Sequence, residues 1–165
     1  MATMLQTPGV EDIHFLRTRK MAGSVFIDVH VITLPKISVS EGHFIGENLR
    51  DAVKKEHLHV VDVTVHIDPE DDEIRHNKPL PEWPARKILV YMLKQALQKH
   101  ALICQENSII IHYLLRGIEL EVVVQAAKNT KDLNTVVDQV LLDLQHTESQ
   151  ISKLTFVQKI ESKIE

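Results

Sequence analysis

The chain has 165 residues, of which 44% are hydrophobic and 25% are charged, enough for one ordinary globular domain or two very small ones. Its longest apolar runs, such as residues 109–115, are far shorter than the roughly 18 residues of a membrane-spanning helix. Residues 1–10 lack the basic start and apolar block of a signal peptide. The sequence therefore predicts a soluble, cytosolic chain.

Histidine is the unusual feature of the composition. The chain has ten histidines, often with carboxylates nearby, and a single cysteine, Cys104. One cysteine excludes an internal disulfide and a zinc site built from several cysteines. The formal net charge of -4 argues against a nucleic-acid partner, whose phosphates require a basic face. Histidines and carboxylates together can bind divalent cations, although many surface histidines bind nothing.

The first half of the chain alternates between strand and helix signals. Apolar residues at every second position predict strands, and the stripe of Ile45, Leu49 and Val53 predicts a helix. Ser38 and Glu41 have the spacing of a helix capping box. The predicted elements are strands at 11–19 and 24–34, a helix at 38–57 and a strand at 60–67.

An acidic, proline-rich segment at residues 68–84, DPEDDEIRHNKPLPEWP, divides the chain. Its prolines cannot continue a helix or a central strand, so we predict a linker at residues 70–84. We expect the acidic run at 70–73 to be solvated.

The second half repeats the order of the first. Its predicted elements are a helix at 85–99, strands at 108–115 and 118–126, a helix at 132–145 and a strand at 152–160. IHFL at 13–16 resembles IHYL at 111–114, each ahead of an arginine and a glycine turn. We infer an α+β chain of tandem ferredoxin-like αββαβ units, the first lacking most of its opening helix. The predicted domains are 8–69 and 85–165.

Each predicted strand of the first half carries a histidine on the face away from the core. Alternate side chains of a strand share a face. The residues predicted on the core face are Ile13 and Phe15 of the first strand, Val25, Ile27, Val29 and Val31 of the second, and Val61, Val63, Val65 and Ile67 of the third. On the opposite face we expect His14, His30, His66 and Asp68, which converge if the strands share one sheet.

Further residues could complete a metal site on this face. His43 lies on the first turn of the helix and could approach from the edge of the sheet, and Glu47, one turn later, could orient its imidazole. Asp28 and Asp62 share the polar face and are further candidates for contacts with the ligands. Neutral imidazoles and a carboxylate suit zinc and its first-row neighbours. The alternative is that these histidines are simply exposed.

Four sequence strings carry a resemblance to a known family. They are VEDIHFLRTR at 10–19, FIDVHV at 26–31, SEGH at 40–43 and DVTVHIDP at 62–69. In this order they resemble the C-terminal cytosolic domain of cation diffusion facilitators, the cation efflux family. By resemblance, the zinc ligands of that domain fall on His14, His30, His43, His66 and Asp68.

The resemblance implies a regulatory function and no enzymatic one. It implies a ferredoxin-like domain that binds a divalent transition metal, zinc first, and forms a homodimer on the cytoplasmic side of the inner membrane. Its other partner is the membrane-spanning domain of the same transporter. Two alternatives stay open: a stand-alone soluble metal-binding or buffer protein, and a ferredoxin-like small-molecule sensor.

The second half departs from the pattern of the family. His112 matches His14 in the aligned strings, but Val124 stands in the place of His30. Val157 and Lys159 stand in the places of His66 and Asp68. Because a lysine repels a cation, we predict that this half does not bind metal as the first half does.

Overall fold

The structure, a computed structural model, describes residues 1–71, 81–125 and 133–158. Most of the predicted linker, the end of the strand predicted at 118–126, the start of the helix predicted from 132, and the end of the last strand with Lys159 lie outside the described residues. The chain divides into two units, residues 1–79 and 80–165. Among the described residues, no helix is long and apolar enough to cross a bilayer.

The first unit is a three-stranded sheet covered by helices. Its central strand β2 (Ser24–Ile32) is antiparallel to β1 (Asp12–Met21) and parallel to β3 (Val60–Asp68). Helix α2 (Val39–Glu56) connects β2 to β3, since parallel strands need a long crossover. The opening helix α1 (Ala2–Leu5) has four residues, so the first unit has only a short helix ahead of β1, as predicted.

The core of the first unit lies between α2 and the sheet. Val29 of β2 is fully buried together with Leu49 and Val53 of α2, so the predicted helical stripe is the one that packs. The Ser38 side chain accepts a hydrogen bond of 3.1 Å from the backbone N–H of Glu41. This cap satisfies one of the backbone donors that the first turn of a helix leaves unpaired.

A tight hairpin fixes the register of β1 against β2. Ala22 and Gly23 both have positive φ, 49° and 88°, as the two central residues of a type I′ turn require. The strands pair from Met21 and Ser24 onward. The turn therefore sets the pairing of β1 with β2 from Met21 back to Phe15.

Strand β1 contains a bulge at His14. Ile13 faces Val31 but Phe15 faces His30, so His14 is the extra residue and the alternation of faces reverses after it. The prediction that Phe15 points to the core is therefore wrong. Its ring lies edge-on to the imidazole of His30, with 5.0 Å between the ring centroids.

A second irregularity lies at the start of β3. The register between β2 and β3 shifts by one residue at Val61. Val61, predicted for the core, is 46% exposed, whereas Val60 packs against the core in its stead. Beyond the shift, Val63 is buried and Val65 packs against the core, as the alternation predicts.

The second unit repeats the topology of the first. Strand β5 (Gly117–Gln125) is antiparallel to β4 (Ile103–Leu114) and parallel to β6 (Ile151–Gln158). Helices α3 (Arg86–Lys99) and α4 (Leu133–Thr147) supply the other layer. The predicted α+β class with ferredoxin-like units is confirmed. Residues fully buried in this core include Leu89, Leu93, Ile118, Leu120 and Val140.

Strand β4 begins earlier than predicted. It starts at Ile103, and its register against β5 shifts between Cys104 and Ile109. The prediction missed the start of the strand because this stretch is rich in polar residues and lacks alternating apolar ones. The Arg86 guanidinium donates to the carbonyl oxygens of Glu106 and Ile109, at 3.1 and 2.8 Å, and so satisfies acceptors along the irregular part of β4.

Candidate metal centre

Three side chains from the three strands of the first unit converge at one point. They are His14 from the bulge of β1, His30 from β2 and Asp68 from the end of β3, and one ligand atom of each lies within 4.8 Å of the others. Nε2 of His14 and Nδ1 of His30 each lie 3.0 Å from Oδ2 of Asp68. The side chain of His14 is 5% exposed and that of Asp68 21%. The centre is thus half-sheltered and still reachable.

The parallel pairing of β2 and β3 explains why these side chains meet. His30 is paired with His66, and Asp68 lies two residues further along β3 on the same face. The bulge in β1 brings His14 to this end of the sheet, with its ring 5.4 Å from that of His30. Strand order and one extra residue therefore assemble the group.

The spacing of the group fits a small metal ion. A tetrahedral zinc site has bonds of about 2.0–2.2 Å to nitrogen and oxygen, which places neighbouring ligand atoms roughly 3.3 Å apart. The two contacts of 3.0 Å to Asp68 are close to that separation. Two imidazoles and a carboxylate are also a ligand set that zinc and other first-row metals accept.

Asp71 adds a second carboxylate, which the sequence analysis missed. Its Oδ1 lies 3.2 Å from Nδ1 of His14, so both ring nitrogens of His14 face a carboxylate. The acidic run at 70–73 was expected to be solvated. The signal that could have found Asp71 is its place just beyond Asp68, where β3 ends.

The structure places His66 and His43 outside the three-residue group. His66 stacks on His30 with 4.3 Å between ring centroids and 22° between the planes. His43 lines two clefts between α2 and β3, one apolar and about 420 Å³, the other more polar and about 400 Å³. His66 thus contacts a member of the group, whereas His43 lies on the α2 side of these clefts.

The predicted supporting carboxylates contact arginines or solvent. Oδ2 of Asp28 accepts hydrogen bonds from Nη2 and Nε of Arg17, at 2.7 and 3.0 Å, and this contact holds the pKa of Asp28 below its ordinary value. Glu47 is hydrogen-bonded to Arg50. Asp62 is exposed and lines the same polar cleft as His43 and Glu47.

Comparison with known proteins identifies the first unit. Residues 1–70 match the family model described as the cation efflux protein, cytoplasmic domain. These residues are similar to that family over their whole length. We refer to them below as the cation efflux domain.

Relatives of the cation efflux domain include two plant proteins. Metal tolerance protein 2 of Oryza sativa subsp. japonica is 45% identical over 65 residues, which are 39% of this chain and 17% of the relative. Metal tolerance protein C1 of Arabidopsis thaliana is 42% identical over 67 residues, 41% of this chain and 14% of the relative. The chain thus spans only a small part of these relatives.

Solved structures of the MamM CTD are also similar. The manganese form of one variant is 23% identical, with a TM-score of 0.41 over 42% of this chain and 87% of that chain.

The second unit carries different residues at the positions of the metal group. Both hairpins close on a defined pair, Met21 with Ser24 and Leu114 with Gly117. Counted from these pairs, His112 occupies the position of Arg19 and not that of His14. The predicted match of His112 with His14 is therefore wrong, because His14 lies seven residues before Met21 and His112 only two before Leu114.

Counting from the hairpins also changes which residue of the second unit corresponds to His30. Val123, and not Val124 as predicted, holds this position, and it faces Val157 as His30 faces His66. A valine pair thus replaces the stacked imidazoles of the cation efflux domain. Among the residues that the structure describes, the second unit has no group of three ligands like that of the first.

Proposed function

We propose that the cation efflux domain is the regulatory, metal-binding domain of a divalent-metal efflux transporter. The convergence of His14, His30 and Asp68 on one point is the observation that carries this proposal. The names of two relatives, both metal tolerance proteins, support it. In this proposal the domain works on the cytoplasmic side of the membrane and its partner there is a membrane-spanning transporter domain.

The ligand set favours zinc among the divalent metals. His14 and His30 would supply imidazole nitrogens and Asp68 a carboxylate oxygen, a mixture that suits zinc and its first-row neighbours better than magnesium or calcium. We extend the set to His66, stacked on His30, and to His43 on α2. These two would join through side-chain rotation or from a second copy of the domain.

Ligand protonation makes the proposed site sensitive to pH. The nitrogens of His14 and His30 that face Asp68 can either donate a proton to its carboxylate or offer a lone pair to a metal. Only the second state binds, so these residues must release protons when the site fills. Acidification therefore weakens binding.

The proposed regulation acts through the association of two domains. Asp68 and Asp71 place two carboxylates beside His14, and like charges oppose the approach of a second copy with the same surface. A bound cation would offset this repulsion. It shifts the equilibrium toward the homodimer only as far as the dimer binds the cation more tightly than the monomer does. The role is thus one of binding, without a catalytic step.

Calorimetric titration of the chain with zinc tests the proposal. We expect saturable heat from the unaltered chain and its loss in His30→Ala. His59→Ala is the matched control, because His59 is exposed at the start of β3 and lies outside the group. Sedimentation velocity with and without zinc tests the homodimer. Equal heat from His30→Ala and the unaltered chain, or no heat from either, would overturn the proposal.

A further inference from the structure

His14 is held by carboxylates on both sides of its ring. Nε2 lies 3.0 Å from Oδ2 of Asp68 and Nδ1 lies 3.2 Å from Oδ1 of Asp71. Both separations fall within the range of N–H···O hydrogen bonds. Nε2 is the nitrogen that faces Asp68, a member of the metal group, whereas Nδ1 faces Asp71, which is not a member.

The two ring nitrogens of a neutral imidazole are not equivalent. One carries the proton and donates, and the other has the lone pair that can bind a metal. A carboxylate accepts hydrogen bonds and cannot donate them when ionised. Asp71 therefore stabilises the tautomer of His14 that carries its proton on Nδ1, which leaves the lone pair of Nε2 aimed at the group.

We infer that Asp71 is a positioning residue of the proposed metal site, which fixes the tautomer and the ring orientation of His14. The inference rests on the proposed function, since a tautomer matters only if His14 is a ligand. Partners of this kind, carboxylates that receive the second N–H of a metal-bound histidine, recur in metalloproteins, and their loss costs roughly 10- to 100-fold in affinity.

The position of Asp71 separates this role from that of a direct ligand. Nδ1 and Nε2 lie on different edges of the imidazole, so an oxygen that contacts Nδ1 is directed away from the point that Nε2 faces. Asp71 also lies beyond the end of β3 at Asp68. It can thus orient the ring without occupying the centre. Its side chain is 44% exposed, so we expect an effect near the lower end of the range.

Two measurements on the full chain test the inference. The first is the tautomer of His14 in the metal-free protein, read from long-range ¹H–¹⁵N spectra of the imidazoles. Because Asp68 competes for a proton on Nε2, we expect the unaltered chain to populate the Nδ1–H form and Asp71→Ala to lower that population. The second is zinc titration, in which we expect Asp71→Ala to weaken binding about tenfold and Asp71→Asn, whose amide oxygen can still accept from Nδ1–H, to weaken it less.

Asp51→Ala is the matched control. Asp51 is exposed on α2, and its removal takes away one negative charge without touching His14. An unchanged His14 tautomer in metal-free Asp71→Ala would overturn the inference, as would zinc binding by Asp71→Ala equal to that of Asp51→Ala. Failure of the proposed function has another signature, which is the absence of zinc heat in the unaltered chain.

Discussion

The open face of the first sheet carries imidazoles where that of the second carries valines. His30 and His66 stack in one unit, and Val123 faces Val157 in the other. The strand order and the pairing directions are the same. A fold that buries one face of a sheet leaves the other free to change, so two similar frameworks can carry different side chains on their open faces.

A pair of a basic residue and a carboxylate near the hairpin is common to both units. Nη2 of Arg19 lies 3.4 Å from Oδ2 of Asp28, and Nε2 of His112 lies 3.5 Å from Oε1 of Glu121. Counted from the turns, the two pairs occupy equivalent positions. In the part of the second unit that the structure describes, this histidine and carboxylate lie together without a third ligand beside them.

The largest expected effect comes from replacing Asp68 of the first unit by lysine, the residue at the corresponding position of the second unit. Asp68→Lys removes the oxygen that both imidazoles contact and introduces the residue type found at position 159. We expect zinc heat to disappear, a greater loss than the about 10- to 100-fold caused by losing an outer partner. Asp51→Lys is the control for charge. Retained binding in Asp68→Lys would remove Asp68 from the site.

A cavity made in the core of the second unit should destabilise that unit. Trp83 is the single tryptophan and packs against this core, so its fluorescence reports unfolding there. We expect Leu93→Ala, at a fully buried position of α3, to lower the free energy of unfolding by about 2–5 kcal/mol. Leu142→Ala removes a side chain that is 57% exposed and should change it by about 0.5 kcal/mol or less. Equal midpoints in urea would contradict the assigned core.

The pH dependence of metal binding should belong to the first unit alone. Ligand histidines must be neutral, so protons compete with zinc for them. Where the ligands are protonated in the metal-free protein, we expect the zinc affinity to fall by about tenfold per pH unit for each histidine that must lose a proton. Calorimetry at several pH values measures this slope. His112→Ala should leave it unchanged, and a slope that depended on His112 would place a ligand in the second unit.

The smallest expected effect concerns a charged pair of the second unit. The hydrogen bond from Lys99 Nζ to Asp143 Oδ2, 3.0 Å long, lowers the pKa of Asp143. A carboxyl whose pKa is lower in the folded than in the unfolded chain stabilises the protein at pH values above its unfolded-state pKa of about 4. This stabilisation is lost as the pH falls through the folded-state pKa. Lys99→Gln should therefore raise the pKa of Asp143 in ¹³C NMR titrations, whereas Lys87→Gln, on an exposed residue, should not.

Much of the fold could be predicted because its signals are local. The N-cap of α2 follows from the spacing of Ser38 and Glu41, and the stripe that contains Leu49 gives the buried face of the helix. Strand alternation placed His30 and Asp68 on the same face because neither irregularity of the first sheet falls between them. Strand alternation, helical stripes and helix caps each depend on residues that are close together along the chain, so they can be recognised in the sequence.

The remainder depends on pairing between distant segments. The bulge at His14 reverses the face of Phe15, and the shift at Val61 exchanges it with Val60. Neither has a signature in the strand itself, because a bulge is visible only against its partner strand. Asp71 was missed for a similar reason, since its contact with His14 joins residues that are far apart along the chain.

The bulge at His14 has a consequence for how such domains diversify. A residue inserted in an edge strand disturbs few backbone hydrogen bonds, and Ile13 stays buried beside it. Gain or loss of one codon at this point would therefore move an imidazole into or out of reach of Asp68 while leaving the packed layer nearly intact. Metal responsiveness could then arise or vanish between close relatives by a change in strand length, with no exchange of the histidine itself.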